Sequence, residues 1–316
     1  MSFEVEVSSQ EEEEIRQIIA YKYLVFFDDP YYKVRNGDSL AIDYKSKSAK
    51  EAIQHAFDHL TPGRTWKETI VLKGPIFFED TVALKDYSRL IALGLLKMAD
   101  GLNKPMFDGT GVKHFEACGG DWDGNRDTMS GDSDVPNAFK FDACKNIYIH
   151  DMSFRNFYGH AIFVDMYSDC ENLKFRDLDG YRCKNTVCIW GHEGAVAYKV
   201  GCKGLRGIEN TQCTVAFLGV INFKILGCLG VQNGHEAIKL ESMCYRGRII
   251  GNAGYENRYA GLFTGACNHS VIKGNVFMDN KCSGIDIWGG YYTIIEGNVC
   301  QRNGYGEEFT KNGISL

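Results

Sequence analysis

Two aspartates that lie one repeat apart are the first candidates for chemistry in this sequence. Asp142 ends the segment 138–142, and Asp165 ends the equivalent segment 161–165. If these segments are neighbouring parallel strands, their backbones lie about 4.8 Å apart, and carboxylates this close favour sharing one proton. An acid beside a base can hydrolyse a glycosidic bond, and the short separation favours retention of configuration. The alternative is a structural ion-pair ladder that includes Lys140.

A second charged patch suggests a different reaction. It consists of Lys239, Glu241, Asp286 and Trp288, with His235 just before the first of these segments. A lysine or histidine can remove the proton beside the carboxyl group of a uronate while a cation neutralises that group, which is the chemistry of a polysaccharide lyase. The alternative is a plain surface ion pair between Lys239 and Glu241.

Aromatic and polar side chains occupy the equivalent outward positions of the other repeats. Carboxylates accept hydrogen bonds from sugar hydroxyls, and aromatic rings stack on the C–H face of a sugar, so this mixture is typical of a glycan-binding face. His192 follows one of the segments and is expected to line the same groove. The substrate-binding candidates are Lys140, Phe163, Trp190, His192, His235, Phe263, Asp286 and Trp288.

A short segment that recurs along the chain must position these residues. Its second and fourth residues are apolar with few exceptions, as in Ile162 and Val164 or Ile285 and Ile287. Alternation at period two predicts a strand that buries those residues and exposes the third and fifth. The copies are 138–142, 161–165, 186–190, 214–218, 237–241, 261–265 and 284–288.

Two asparagine columns show how these strands are stacked. Asn252, Asn275 and Asn298 recur every 23 residues, each after a glycine, and a second column of Asn257, Asn280 and Asn303 has the same step. Turn residues that need a positive φ are commonly Gly or Asn, and stacked asparagines can pass amide hydrogen bonds from coil to coil. The apolar runs between the turns are too short for helices, so the pattern predicts an all-β solenoid, a parallel β-helix.

The N-terminal part of the chain has a different pattern. Ser48 to Glu51 form a capping box, and apolar residues up to Leu60 then follow at helical spacing, which predicts a short amphipathic helix that covers the open end of the solenoid. Residues 11–23 fit either a helix with an acidic first turn or the lead into a strand over 23–27. We therefore expect an N-terminal extension over 1–47, a capping helix and turn over 48–66, and the β-helix over 67–316.

A family resemblance follows from three further stretches. A glycine-rich turn over 119–125 precedes a polar loop over 126–136 and an apolar run over 146–154. Over about residues 37–316 the chain resembles the pectate-lyase and polygalacturonase superfamily of right-handed, single-stranded parallel β-helices, and viral tailspikes built in the same way. The run 31–37 is similar to the opening of archaeal and viral β-helix proteins. The resemblance implies that a glycan lies in the groove on the repeated strand.

The catalytic motifs of that superfamily do not carry over to this chain. Gly159-His160 is similar to part of the Gly-His-Gly motif of polygalacturonases, but their Asn-Thr-Asp, Asp-Asp and Arg-Ile-Lys elements and the Arg-x-Pro-x-x-Arg run of pectate lyases are missing. His160 and His235 are then interpreted as turn residues that bond the backbone. The carboxylates of Asp121 and Asp123 are expected to bond their own turn, so no metal and no cofactor are predicted.

Composition excludes several classes of function. The chain has 316 residues, 44% of them hydrophobic, with 35 glycines and a net charge of −6. Scattered cations argue against nucleic acid as the main partner, and no apolar run is long enough to span a membrane. The first residues show no signal peptide. The sequence leaves the location undecided, with an extracellular or virion-associated one among the alternatives. The 12 cysteines lack a Cys-x-x-Cys pair, which favours buried thiols.

The last five residues, 312–316, begin another copy of the repeated strand. An uncapped solenoid end invites pairing with another chain, so we expect either a longer chain or a homo-oligomer such as a trimer. For function, the sequence favours hydrolysis of a polysaccharide by Asp142 and Asp165. Elimination at the Lys239 patch and a non-catalytic glycan-binding or spike protein remain as alternatives.

Overall fold

The computed structural model describes residues 20–130, 135–305 and 313–315. These residues form a right-handed parallel β-solenoid of about 9 turns, in which 50% of the residues are in strands. The prediction of a parallel β-helix is therefore confirmed. The undecided segment 11–19 lies outside the described residues, as do Asn312 and Leu316 of the last predicted strand.

The repeated segment forms a ten-stranded parallel sheet, and its predicted strands are confirmed to within two residues at each end. In register across this sheet lie the third-position residues, from Lys140 opposite Phe163 to Phe263 opposite Asp286. The strands are β6 (Val82–Ala83), β8 (Phe107–Asp108), β10 (Phe139–Phe141), β12 (Ile162–Met166), β14 (Val187–Gly191), β17 (Val215–Leu218), β21 (Ile238–Leu240), β24 (Leu262–Gly265), β27 (Ile285–Trp288) and β30 (Ile314–Ser315).

The other faces of the solenoid belong to a twenty-stranded sheet, parallel except at its N-terminal edge. Its strands are β1 (Tyr23–Asp28), β2 (Tyr31–Asn36), β3 (Ile42–Ser46), β4 (Glu68–Lys73), β5 (Ile76–Phe78), β7 (Ser88–Met98), β9 (Lys113–Asp123), β11 (Lys145–Arg155), β13 (Cys170–Tyr181), β15 (Ala197–Lys203), β16 (Arg206–Ile208), β18 (Val220–Ile221), β19 (Lys224–Leu226), β20 (Leu229–Val231), β22 (Arg248–Ile250), β23 (Ala253–Tyr255), β25 (Val271–Lys273), β26 (Val276–Met278), β28 (Ile294–Glu296) and β29 (Val299–Gln301). A short 3₁₀ turn lies at Arg126–Thr128.

The predicted capping helix is α1 (Ala49–Asp58), and the side chain of Ser48 accepts the amide of Glu51 at its N-terminus. Its apolar face is buried against β1, β2, β3, β5 and β6, so it does cover the first coils of the solenoid. Strand β1 also pairs in parallel with β4. The long sheet therefore begins at residue 23, ahead of the helix.

The asparagine columns are hydrogen-bonded ladders. In the second column, the Nδ2 of Asn257 donates to the Oδ1 of Asn280 over 2.8 Å, and Asn280 donates in turn to Asn303 over 2.9 Å. Each Oδ1 also accepts a backbone amide from the preceding coil, as Asn280 does from Asn257. Asn280 is fully buried, so its side chain satisfies polar backbone groups that water cannot reach.

The positive φ angles lie one residue before the asparagines. In the first column this residue is glycine, such as Gly274 with φ 63°. In the second column it is an ordinary residue, such as Asp279 with φ 57°. In neither ladder does the asparagine itself take the left-handed conformation; its buried side-chain amide forms the hydrogen bonds between coils.

The cysteines are free thiols, as predicted, and ten of the twelve are buried. Burial raises the pKa of Cys183 and Cys228 to about 12, so both are protonated at neutral pH. Trp122 is also buried as core packing, and its indole donates to the carbonyl of Gly119 over 2.9 Å. Most of the cysteines therefore act as small apolar side chains packed inside the coils.

Replacing Asn280 by alanine should destabilise the protein. The substitution leaves the amide of Asn257 and the carbonyl of Gly254 buried without partners, and each such group costs about 1–3 kcal/mol. Urea unfolding is expected to show a loss of about 2–4 kcal/mol in the free energy of unfolding. Asn303→Ala, on the half-buried last rung, is the control and should lose less; equal losses would contradict the ladder's role.

Candidate functional site

A cleft of about 510 Å³ lies over the middle strands of the ten-stranded sheet. It contains three lysines and two histidines but one carboxylate, although the whole chain is acidic. The charged and aromatic side chains that line it are Lys140, His160, Phe163, Asp165, Tyr167, Lys184, Trp190, His192 and Lys239. The cleft is therefore suited to an anionic ligand with an apolar ring face.

The floor of the cleft is apolar and buried. Phe163, Cys188 and Ala216 occupy the third strand position that the alternation predicted to be exposed, yet they are only 6%, 4% and 7% exposed and form one cluster with Cys213. The prediction was wrong at these coils because the three side chains pack against one another and Cys213, and the ring of His160 lies 4.6 Å from that of Phe163. The floor of the cleft is therefore lined by apolar side chains that expose little of their own area.

Asp165 lies at the centre of the polar contacts in the cleft. Its Oδ1 is 2.7 Å from Nε2 of His192, and its Oδ2 is 2.9 Å from Nζ of Lys140. The residue is only 8% exposed. It sits at the end of β12, in register with Trp190 on β14. The parallel register thus brings together four of the predicted site residues.

His192 is oriented from two directions. The carboxylate of Asp165 accepts a hydrogen from Nε2, which leaves Nδ1 with its lone pair in the neutral ring. The ring of Tyr167 stacks on the imidazole at 4.3 Å and an angle of 7°. Because both contacts fix the plane of the ring, His192 has the arrangement of an oriented general base.

Asp142 has the contacts of a turn residue. Its Oδ1 accepts the backbone amides of Ala143, Tyr167 and Ser168 at distances between 2.7 and 3.1 Å. It joins the loop that carries Tyr167 to the end of the preceding strand. Asp142 therefore holds the loop that carries Tyr167 in place. The acid–base pair of Asp142 and Asp165 stays a prediction.

The second patch lies at one end of the cleft. Lys239 lines the cleft and forms a 2.5 Å ion pair with Glu241. Burial opposes its charge, but the hydrogen bond to Glu241 raises the pKa of Lys239 overall. Lys239 therefore stays protonated, which suits a cation that neutralises a carboxylate and not a base. His235 stacks on Tyr259, and burial with nearby cations lowers its pKa.

The remaining predicted residues lie further along the sheet. Trp288 is 69% exposed, its Nε1 donates to Asp286 over 3.1 Å, and its ring meets the edge of Phe263. Phe263, Asp286 and Trp288 do not line the cleft over the described residues. They form a separate aromatic group on the same face.

Sequence reasoning missed several residues of the cleft. Tyr167 and Lys184 come from loops between strands, so no strand periodicity could identify them. His160 is buried and its Nδ1 lies 3.0 Å from the amide of Asn185, which in turn contacts Gln212. The hypothesis of a histidine that bonds only backbone was incomplete, because its ring contacts a side chain and borders the cleft.

The match to a known family covers these coils. The family model described as periplasmic copper-binding protein (NosD) matches residues 155–315, just over half of the chain. The chain belongs to the NosD family. A search of curated proteins finds no match. The expected β-helix relationship is thereby confirmed at the level of fold.

Solved structures with this fold include enzymes of different kinds. The A-module of a mannuronan C-5 epimerase from Azotobacter vinelandii is 17% identical, with a TM-score of 0.67 over 84% of this chain and 75% of that one. An alginate lyase from Paenibacillus sp. is 10% identical, with a TM-score of 0.60 over 85% and 97%. An endo-xylogalacturonan hydrolase from Aspergillus tubingensis is 12% identical, with a TM-score of 0.56 over 92% and 95%. These similarities show the fold alone.

The copper named in the NosD family description has no matching donor set here. Among the described residues, no group of three or more His, Cys, Asp or Glu side chains is placed to hold a metal ion. His160 and His192 each have a ring nitrogen hydrogen-bonded, to Asn185 and Asp165 respectively. The residues therefore do not fit a copper site.

The described helices are also too short and too polar to cross a bilayer.

Glu236→Gln should change how stability depends on pH. Glu236 is 6% exposed beside Cys213, His235 and Lys239, and burial raises the pKa of its carboxyl above the usual 4.5. The folded state then binds its proton more tightly than the unfolded chain, so stability falls as pH rises from about 4.5 through the raised pKa.

The variant lacks this loss because glutamine does not ionise. Thermal unfolding at pH 8 should show Glu236→Gln to be more stable than the wild type, by about 1.4 kcal/mol for each tenfold difference in proton affinity. At pH 3, well below the unfolded pKa of 4.5, the wild-type side chain is protonated in both states, so the two proteins should unfold together. A variant that is less stable at both values would contradict the assignment.

Proposed function

We propose that this NosD-family chain cleaves an acidic polysaccharide by β-elimination in the cleft. His192 removes the proton from the carbon beside a uronate carboxyl group, and the lysines of the cleft neutralise that carboxyl group. The observation that carries the proposal is the contact set of Asp165, with His192 at 2.7 Å and Lys140 at 2.9 Å in a cleft of positive charge.

The assignment of the base rests on geometry. His192 is the cleft histidine whose ring is hydrogen-bonded to a carboxylate, since His160 contacts the amide of Asn185 instead. Asp165 stabilises the imidazolium that forms when Nδ1 takes a proton. Tyr167, stacked on the same ring, carries a phenol that can protonate the departing sugar oxygen. The C4–O bond breaks as the C4–C5 double bond forms.

The charges of the cleft explain why the substrate should be a uronate. The proton beside a carboxyl group becomes more acidic when a cation neutralises the negative charge that develops on the oxygens. Nζ of Lys140 has donors left after its bond to Asp165, and Lys239 is held protonated by Glu241. A neutral sugar would offer no carboxylate for these cations to neutralise.

Hydrolysis by two carboxyl groups fits the contacts less well. Asp142 already accepts three backbone amides, and Asp165 is engaged by a lysine and a histidine. Neither arrangement supplies the protonated carboxyl group that must donate to the leaving oxygen. The names of the structural neighbours include an epimerase, a lyase and a hydrolase, so the fold does not choose among these reactions.

Binding without catalysis is the second candidate. The exposed Trp190 and Trp288 and the edge contact between Trp288 and Phe263 provide stacking surfaces along the same face. A protein that only holds an acidic glycan would use the same cations and rings. It would not need the oriented lone pair on His192.

Replacing His192 by glutamine should abolish most of the turnover. Loss of a positioned general base lowers kcat by about 10²- to 10⁴-fold. The assay follows absorbance at about 235 nm, where the unsaturated uronate made after proton abstraction absorbs, with polygalacturonate and alginate as substrates. His269→Gln is the matched control, because His269 stacks between Tyr245 and Tyr292 away from the cleft. An unchanged kcat in His192→Gln would remove this base from the mechanism.

Asp142→Asn separates elimination from hydrolysis. Asparagine keeps the Oδ1 that accepts the three backbone amides, so the turn should survive the change. Under elimination the variant should retain turnover within about threefold of the wild type, since only a structural acceptor is altered. Turnover reduced to background, with an unchanged melting temperature, would support hydrolysis by the aspartate pair.

A further inference from the structure

A row of cations lies on the twenty-stranded sheet, outside the cleft. Lys174 on β13, Gly201 on β15, Lys224 on β19 and Arg248 on β22 are in register on consecutive coils. Lys203 lies beside them, two residues after Gly201. We call Lys174, Lys203, Lys224 and Arg248 the basic strip. All four side chains are exposed.

The strip differs from several other cations of this sheet in having no ion-pair partner among the described residues. Lys199 pairs with Glu171 and Lys273 with Glu296 at 2.9 Å, and Lys145, which stands opposite Lys113, is paired with Glu171. In contrast, Lys224 and Arg248 are direct neighbours of like charge. Like charges placed opposite each other on a sheet are destabilising.

A carboxylate lies near the strip, because Asp177 lies against Gly204, the residue after Lys203, but it is paired with Arg176. Among the described residues, the four cations of the strip have no ion-pair partner, although the chain has 41 acidic residues and a net charge of −6. Arg246, two residues before Arg248 and just ahead of β22, adds a further exposed cation. An unneutralised row of cations on an acidic protein is the electrostatic arrangement expected for a bound anion.

The surface between the cations is shaped like a shallow hollow. Gly201 has no side chain, and a cavity of about 570 Å³ opens over it with Lys174 and Lys224 at its rim. Tyr148 and the apolar atoms of Leu226 contribute to its walls. An apolar floor within a rim of lysines suits a sugar ring that carries a carboxylate.

We propose that the basic strip is a second binding site for an acidic polysaccharide, which lies along the solenoid axis on the face outside the cleft. Each of the four coils carries one cation, in register for Lys174, Lys224 and Arg248 and two residues to the side for Lys203. The coil spacing of about 4.8 Å is close to the length of one pyranose unit, so a uronate chain along the axis would pass one cation per sugar. Duplex DNA carries a charge every ~1.7 Å along its axis, which this single row does not match. The choice of glycan rests on the proposed function; the anion site itself does not.

The test compares variants that alter the strip and leave the cleft unchanged. Lys224→Gln/Arg248→Gln removes two cations. Gly201→Glu fills the hollow with a carboxylate, and no heavy atom lies within 4 Å of the added Cβ, so the fold should accept it. Lys47→Gln/Lys281→Gln is the control, because it removes the same charge from two exposed lysines elsewhere.

Binding of long-chain polygalacturonate is measured by affinity electrophoresis at two salt concentrations. Both strip variants should bind about tenfold more weakly than the wild type and show a weaker dependence on salt, since fewer counterions are displaced. The control should bind like the wild type. Strip variants that bind like the wild type, or a wild type that prefers single-stranded DNA to polygalacturonate, would overturn the proposal.

Turnover of a short oligogalacturonate separates this proposal from the proposed function. A chain of three sugars can occupy the cleft without reaching the strip, so the strip variants should keep the wild-type kcat. Suppose that the wild type turns over no uronate while the strip variants still bind polygalacturonate more weakly than the wild type does. In that case elimination in the cleft is wrong and the strip is supported. The reverse result, with turnover intact and binding unaffected by the variants, overturns the strip alone.

Discussion

Everything in this protein depends on the in-register stacking of its coils. The backbone N–H and C=O groups of each strand are hydrogen-bonded to the coils before and after it. A slip of one residue would exchange the buried and exposed side chains of a strand. The asparagine ladders fix this register, because the carboxamide of Asn280 bonds both Asn257 and Asn303 from a buried position. With the register fixed, each side chain faces its counterpart about 4.8 Å away.

The same constraint builds the candidate site and the basic strip. On the ten-stranded sheet it places Asp165 next to Trp190 and, through its side chain, within reach of Lys140. On the twenty-stranded sheet it places Lys224 opposite Arg248. The solenoid is thus a rigid frame on which rows of side chains are displayed, and the loops between strands add the residues that make each row specific.

The sequence predicts the rows well and the loops poorly. Strand alternation and the 23-residue asparagine step identified Lys140, Asp165 and Trp190 as neighbours on one face, because strand periodicity is a local signal. His192 was expected to line the groove near Asp165, but its hydrogen bond to that carboxylate and the stacking of Tyr167 were not predicted, since both side chains come from loops whose course depends on tertiary contacts. Asp142 matched the pattern of a catalytic residue, but its three amide contacts are visible only in three dimensions.

The basic strip shows the same limit in electrostatic terms. Lys174, Lys224 and Arg248 are separated by tens of residues in an acidic chain, so composition alone suggested that no basic surface exists. Register brings them together at the coil spacing. Charge patterning in a solenoid therefore has to be read down the stack of coils as well as along the chain.

The proposed elimination begins when His192 removes the proton from the carbon beside a uronate carboxyl group. The most direct measurement is incubation of a short oligouronate with the protein in D₂O, followed by mass spectrometry of the products. Elimination predicts unsaturated chain ends with the wild type, without deuterium at that carbon because it lies in the double bond, and no such ends with His192→Gln. New reducing ends that are saturated and free of carbon-bound deuterium would show hydrolysis and contradict it.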